Sequence, residues 1–189
     1  INTTDYSLNA GKSLVINNGY VYCASSSNDA IDSNGTFTIN GGKIVAIGAD
    51  VPEGAFDCDQ NIFSITGGIL IGIGGSTSTP SNCTQNTIVL NNINIPGSTN
   101  IALLSSSGSC VFDYIMLRSA KTIVLSSPTI ATSTKYTLYT GGSATSDFLF
   151  KNMYFNNLLY TIGTATSTSF TVNSYVTTVG VSTGPPNGR

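Results

Sequence analysis

Three segments of this chain can be laid on top of one another: Leu14-Val15-Ile16-Asn17-Asn18-Gly19, Phe37-Thr38-Ile39-Asn40-Gly41-Gly42 and Phe63-Ser64-Ile65-Thr66-Gly67-Gly68. Their central isoleucines lie 23 and 26 residues apart, and a fourth copy, Ile88-Val89-Leu90-Asn91-Asn92-Ile93, places Leu90 a further 25 residues on. A period in the low twenties is one coil of a parallel β-helix, in which each coil leaves apolar side chains uncovered until the next stacks on it. Aligning the first three copies gives columns: Ile16/Ile39/Ile65, Val21/Ile44/Leu70, and a small-residue column Cys23/Ala46/Gly72. Strand alternation puts all three columns on one face, the solenoid interior.

The Asn-Gly and Gly-Gly pairs recur at one place in each unit, where a tight corner needs positive φ. The alternative, an antiparallel β-sandwich in which each pair closes a hairpin, leaves the recurring spacing unexplained. The expected fold is therefore all-β, a single-stranded right-handed parallel β-helix with coils of 23–26 residues. Residues 1–183 form one domain, with regular coils over 13–95 and irregular coils over 96–183. Weaker copies are read at Val111–Ile115, Leu149–Met153 and Phe170–Asn173, and residues 184–189 read as a linker or tail.

Composition narrows the function. Charged residues are only 8 % of the 189, the net charge is −2 and the basic residues are scattered, which removes the electrostatic footprint of nucleic-acid binding. No apolar run is long enough for a membrane helix. There is no histidine, so Ser-His-Asp and Cys-His nucleophilic sites are excluded. The four cysteines form no CxxC pair, and an even count fits disulfides in an oxidising compartment. Cys58 and Cys83 each lie seven residues before the central aliphatic residue of their unit, so stacking makes them neighbours, and Cys23 with Cys110 follows by elimination. Sequons at Asn2, Asn34 and Asn82 also point to an extracellular glycoprotein, secreted or displayed on the cell surface.

Acidic residues cluster in two turns one coil apart: Asp29 and Asp32 in Asn28-Asp29-Ala30-Ile31-Asp32, then Glu53, Asp57 and Asp59 around Glu53-Gly54-Ala55-Phe56-Asp57. With their following Ile-Asn-Gly-Gly or Ile-Thr-Gly-Gly strands, residues 13–75 resemble a calcium-associated carbohydrate-binding β-helix family of clostridial polysaccharide-binding type. That family repeats a "DGID" turn and an "INGG" strand; here Ala30 stands where its glycine is expected and Phe56 where isoleucine is usual. The resemblance implies a β-helix, a polysaccharide or glycan partner and calcium as cofactor.

Stacked coils bring like charges within about 5 Å, and calcium takes six to eight oxygen ligands of the kind such turns supply. The same carboxylates also serve as turn caps accepting backbone N–H groups. Tyr20 and Tyr22 alternate outward from the interior column, placed either to stack on sugar faces or to meet a neighbouring subunit. The basic residues lie outside the acidic turns, so binding without catalysis is expected. Low charge, high Ser/Thr content and the lack of a capping element open a second reading, a structural subunit that self-associates into an extracellular filament or sheath through solenoid ends or edges.

Overall fold

The structure is a computed structural model, and it describes residues 1–180. Among them every regular element is a strand and there is no helix. A short entry strand, β1 (Asn2–Thr3), leads into three stacked coils. The first coil holds β2 (Leu8–Ala10), β3 (Ser13–Ile16) and β4 (Tyr20–Ser25). The second holds β5 (Ile31–Ser33), β6 (Thr36–Ile39) and β7 (Lys43–Ile47). The third holds β8 (Phe56–Asp57), β9 (Phe63–Ile65) and β10 (Ile69–Gly74). Every pairing between coils is parallel, so the chain is a β-solenoid of about three turns.

The register is the one the repeat requires. Ile16 pairs with Ile39 and Ile39 with Ile65, while Val21/Ile44/Leu70 and Cys23/Ala46/Gly72 align across the third wall. Phe37 and Phe63 stack with ring centroids 4.7 Å apart and Phe56 fills beside them, so the lumen is closed by rings. Outside, Asn40 donates to Asn17 Oδ1 and Thr66 to Asn40 Oδ1, both at 2.8 Å. Gly19, Gly42 and Gly68 all have φ near +100°. A Cβ on Gly42 would meet the Gly19 carbonyl oxygen at 2.8 Å, so the corner needs glycine for both conformation and space.

The fourth copy does not stack. Residues 76–85 still run along the third coil, with Ser78 N donating to Phe56 O, Ser81 N to Phe63 O and Thr84 N to Ile65 O. The chain then leaves the helical path. Strand β11 (Thr87–Leu90) lies in the same sheet as β10 but is separated from it by a later strand, so Leu90 does not join the Ile16/Ile39/Ile65 column. The glycine of the corner is replaced by Ile93, and the positive φ moves one residue early, to Asn92. Without that corner the next coil cannot close.

The remaining strands are β12 (Asn100–Ser105), β13 (Cys110–Ile115), β14 (Thr122–Ser126), β15 (Thr134–Thr140), β16 (Ser143–Thr145), β17 (Phe148–Phe150), β18 (Met153–Phe155), β19 (Leu159–Thr161), β20 (Thr166–Val172) and β21 (Val176–Val179). They do not form irregular coils. Strand β14 enters between β10 and β11, antiparallel to both. Six others make an antiparallel sheet in the order β17-β18-β13-β12-β15-β20, and β16 pairs with β19. The expected copies near residues 111 and 170 are strands of that antiparallel sheet. The copy at Leu149–Met153 is a hairpin turn, with Lys151 and Asn152 both at positive φ. The assigned tail at 184–189 lies outside the described residues.

The seven-stranded sheet β1-β4-β7-β10-β14-β11-β21 is a wall shared by two cores. Its inner face sends Ile44, Ala46, Leu70, Val89 and Val124 into the solenoid lumen. Its outer face sends Val45, Ile71, Ile73, Ile88, Leu90, Ile123 and Leu125 against Ile101, Leu103, Phe112, Tyr114 and Leu138 of the antiparallel sheet. A solenoid wall covered on both sides explains why its strands are continuous apolar runs instead of alternating ones.

Two further expectations are corrected here. All four cysteines are free thiols, so neither Cys58–Cys83 nor Cys23–Cys110 is bonded; Cys23 and Cys110 belong to different sheets. The solenoid end after the third coil is also capped. Residues 76–85 close over β8 and β9, and the antiparallel β14 occupies the edge of β10.

Candidate functional site

The acidic turns arise from the coil geometry. Asp32 and Asp57 are paired positions on β5 and β8, with Asn9 the equivalent position on β2. Asn9 Nδ2 donates to Asp32 Oδ2 at 2.6 Å, extending the column upward. One step back along the chain, Asp29 Oδ1 accepts the Gly54 N–H at 2.7 Å, so this carboxylate ties its own coil to the one below. It is also hydrogen-bonded to the Glu53 carboxyl. Asp57 Oδ1 accepts the Cys58 N–H at 2.7 Å and the Ser78 hydroxyl at 2.8 Å. The turn-capping role is therefore filled by two of these side chains, Asp29 and Asp57.

Beside them runs an open groove of about 640 Å³. Asp29, Glu53, Asp57 and Asp59 line it together with the hydroxyls of Thr36, Ser76, Thr77, Ser78, Thr79 and Ser81. Asp32 is buried and does not line it. The hydroxyl wall comes from the segment that caps the third coil. That segment lies outside the repeat, so alignment of the coils could not reveal it; the run of Ser and Thr over residues 76–81 was the available sign.

Burial sets the proton affinity of the site. Asp29 is pushed well above the ordinary carboxylate range by desolvation, with Asp57 and Glu53 adding repulsion and the Gly54 N–H pulling the other way. Asp32 is pushed up to about 6, first by burial and then by Asp57 and Asp59. These carboxylates thus hold protons, or attract a cation, more readily than exposed ones. They are arranged as adjacent pairs, Asp29 with Glu53 and Asp32 with Asp57. No three His, Cys, Asp or Glu side chains among the described residues converge on one point. A bound cation would take oxygen from one such pair and from neighbouring hydroxyls and carbonyls.

The aromatic candidates separate. Tyr22 is half-buried against the inter-sheet core, with Lys151 Nζ 4.6 Å from its ring centroid. Tyr20 is 65 % exposed and packs edge-on to Phe150 at 5.2 Å. Both point out of the solenoid, but the outside of that wall is where the hairpin β17–β18 docks. Asn2, Asn34 and Asn82 are all exposed. The thiols are poor nucleophiles at neutral pH: burial raises Cys23 to about 11 and Cys110 to about 12.

No protein-family model, no curated protein and no solved structure matches this chain.

Proposed function

We propose that this protein is an extracellular, non-catalytic glycan-binding β-solenoid whose binding site is the groove along the acidic turns. The observation that carries the reading is the lining of that groove, in which carboxylates and hydroxyls from two coils and the cap face one open channel. Sugar hydroxyls are matched by such a mixture of acceptors and hydroxyl donors. A channel that spans successive coils suits a chain-like ligand. Catalysis is not part of the reading: the best-placed groove carboxylates already hold backbone and serine donors, and no histidine is available to relay a proton.

Calcium enters as a proposed aid to this binding. At neutral pH it would offset the mutual repulsion of the paired carboxylates and allow an acidic protein to hold an acidic polysaccharide. Retention on a panel of immobilised neutral and acidic polysaccharides, with calcium and with chelator, tests both statements. Asp57→Asn, with Asp32→Asn added, should weaken retention of acidic polysaccharide and abolish the calcium-dependent rise in melting temperature expected from mass action. No retention of any polysaccharide by the unmutated protein would overturn the glycan reading, and a calcium-independent melting temperature would overturn the cofactor. The filament reading loses support from the capped third coil, since head-to-tail growth needs two open ends.

A further inference from the structure

We propose that the protein forms a two-fold homodimer by pairing strand β17 with β17 of a second copy, an inference independent of the glycan reading. Strand β17, Phe148-Leu149-Phe150, is one of the two edge strands of the six-stranded antiparallel sheet, with no strand paired to its outer side among the described residues. It carries none of the usual protections of an edge: no proline, no bulge and no charge within the strand. Phe148 and Leu149 are 54 % and 58 % exposed, on opposite faces of the strand. The two-residue turn Lys151-Asn152 makes Phe150 and Met153 the bonded pair next to it, and Phe148 and Phe155 the next bonded pair. The N–H and C=O of Leu149 therefore point away from β18, toward the open edge.

The charges choose the occupant. Antiparallel pairing about a dyad at Leu149 sets Leu149 opposite Leu149 of the second copy, with two reciprocal backbone hydrogen bonds. Phe148 then lies opposite Phe150 of the second copy. The flanking residues are Asp147 and Lys151, and the same dyad places each Asp147 opposite a Lys151. Both are exposed; Asp147 Oδ2 accepts from Asn157 Nδ2 at 2.5 Å and Lys151 Nζ lies 4.6 Å from the Tyr22 ring centroid, so pairing exchanges these contacts for two ion pairs that frame the strand in this register and no other. The rings continue the pattern: Phe148 already stacks on Phe155 at 5.9 Å, and Tyr20 meets Phe150 edge-on. Pairing would join the two aromatic clusters and cover Tyr20, the most exposed tyrosine of the wall. A three-residue strand buries little area, so the association is expected to be weak and concentration-dependent.

Sedimentation velocity of the full chain over a concentration series tests this. The expected result is a monomer–dimer equilibrium. Asp147→Lys and Lys151→Asp should each weaken the dimer about tenfold, and the double exchange should restore it. Leu149→Pro removes the bonding N–H and should abolish it, while an unchanged circular dichroism spectrum and melting temperature show that the monomer still folds. A protein that stays monomeric at every concentration overturns the proposal. So does a dimer indifferent to Leu149→Pro, which would place the contact elsewhere, as at the open first coil. Single exchanges without effect, or a double exchange without rescue, overturn the two-fold register.

Discussion

Asp113 is fully buried in the antiparallel sheet, opposite Ala102 on β12 and Tyr154 on β18. Asn100 Nδ2 donates to its Oδ1 at 2.8 Å, yet Asp113 Oδ2 and Asn100 Oδ1 have no partner. A proton on the carboxyl is the one donor this pair lacks. Burial pushes Asp113 up to about 7, with the Asn100 amide pulling the other way. Its charge is felt by Cys110 and Tyr160, whose own values it raises. The folded-state value is above the unfolded one, so the stabilisation is complete below about pH 4 and disappears as pH rises toward 7. Asp32 acts in the same direction up to about 6. Asp113→Asn supplies the missing donor as an amide N–H. Melting temperatures from pH 4 to 7 should fall less steeply for this variant, which should be the more stable form at pH 7 by up to about 4 kcal/mol. Parallel curves for variant and parent would sink this account. The sequence gives no hint of it: Asp113 stands among apolar residues, and only the fold pairs it with Asn100.

At the scale of elements, the three coils were legible because their determinants are local. A lumen isoleucine, an asparagine or threonine directly after it and a glycine at positive φ three residues on recur in each unit, and stacking follows from their spacing. The second half is held by pairings between distant strands, which leave no period. One sign was present nonetheless: Thr-Ile-Val-Leu occurs at both 87–90 and 122–125. The two copies pair antiparallel, Ile88 with Leu125 and Val89 with Val124, so identical tetrapeptides place matching side chains on matching faces. The groove was half legible, its carboxylates coming from the repeat and its hydroxyl wall from the cap. Two substitutions probe the elements. Gly72→Leu should prevent folding or unravel the third coil, because even a Cβ there would lie 2.3 Å from the Phe56 ring; a soluble, native-like variant would contradict the lumen packing. Arg118 Nη1 donates to Ser25 O at 3.0 Å and Gly48 O at 2.6 Å, clasping the exits of two successive coils from the antiparallel side. Arg118→Ala should cost about 1–3 kcal/mol in denaturant unfolding, and a loss below measurement would show that water replaces the clasp.

For the whole molecule, one sheet serves both cores, so neither can open without exposing it. Val124 faces the lumen and Leu125 the inter-sheet core, and both are fully buried. Leu125→Ala should cost about 2–5 kcal/mol and Val124→Ala somewhat less. Each should lower a single transition seen alike by far-ultraviolet and tyrosine signals. Two resolved transitions, each sensitive to one variant, would show that the halves fold separately. The antiparallel strand on the third coil has a consequence for how such a chain can change in length. Its mate β10 must always belong to the final coil, and Arg118 reaches the exits of the first two. A duplication of the 23–26-residue unit would therefore be tolerated between coils, where parallel register repeats itself, and rejected after the third, where direction reverses. Homologous chains of different size should differ by whole units inserted upstream of the Ile69–Gly74 strand, each adding one rung to the acidic column while the downstream sheet keeps its length.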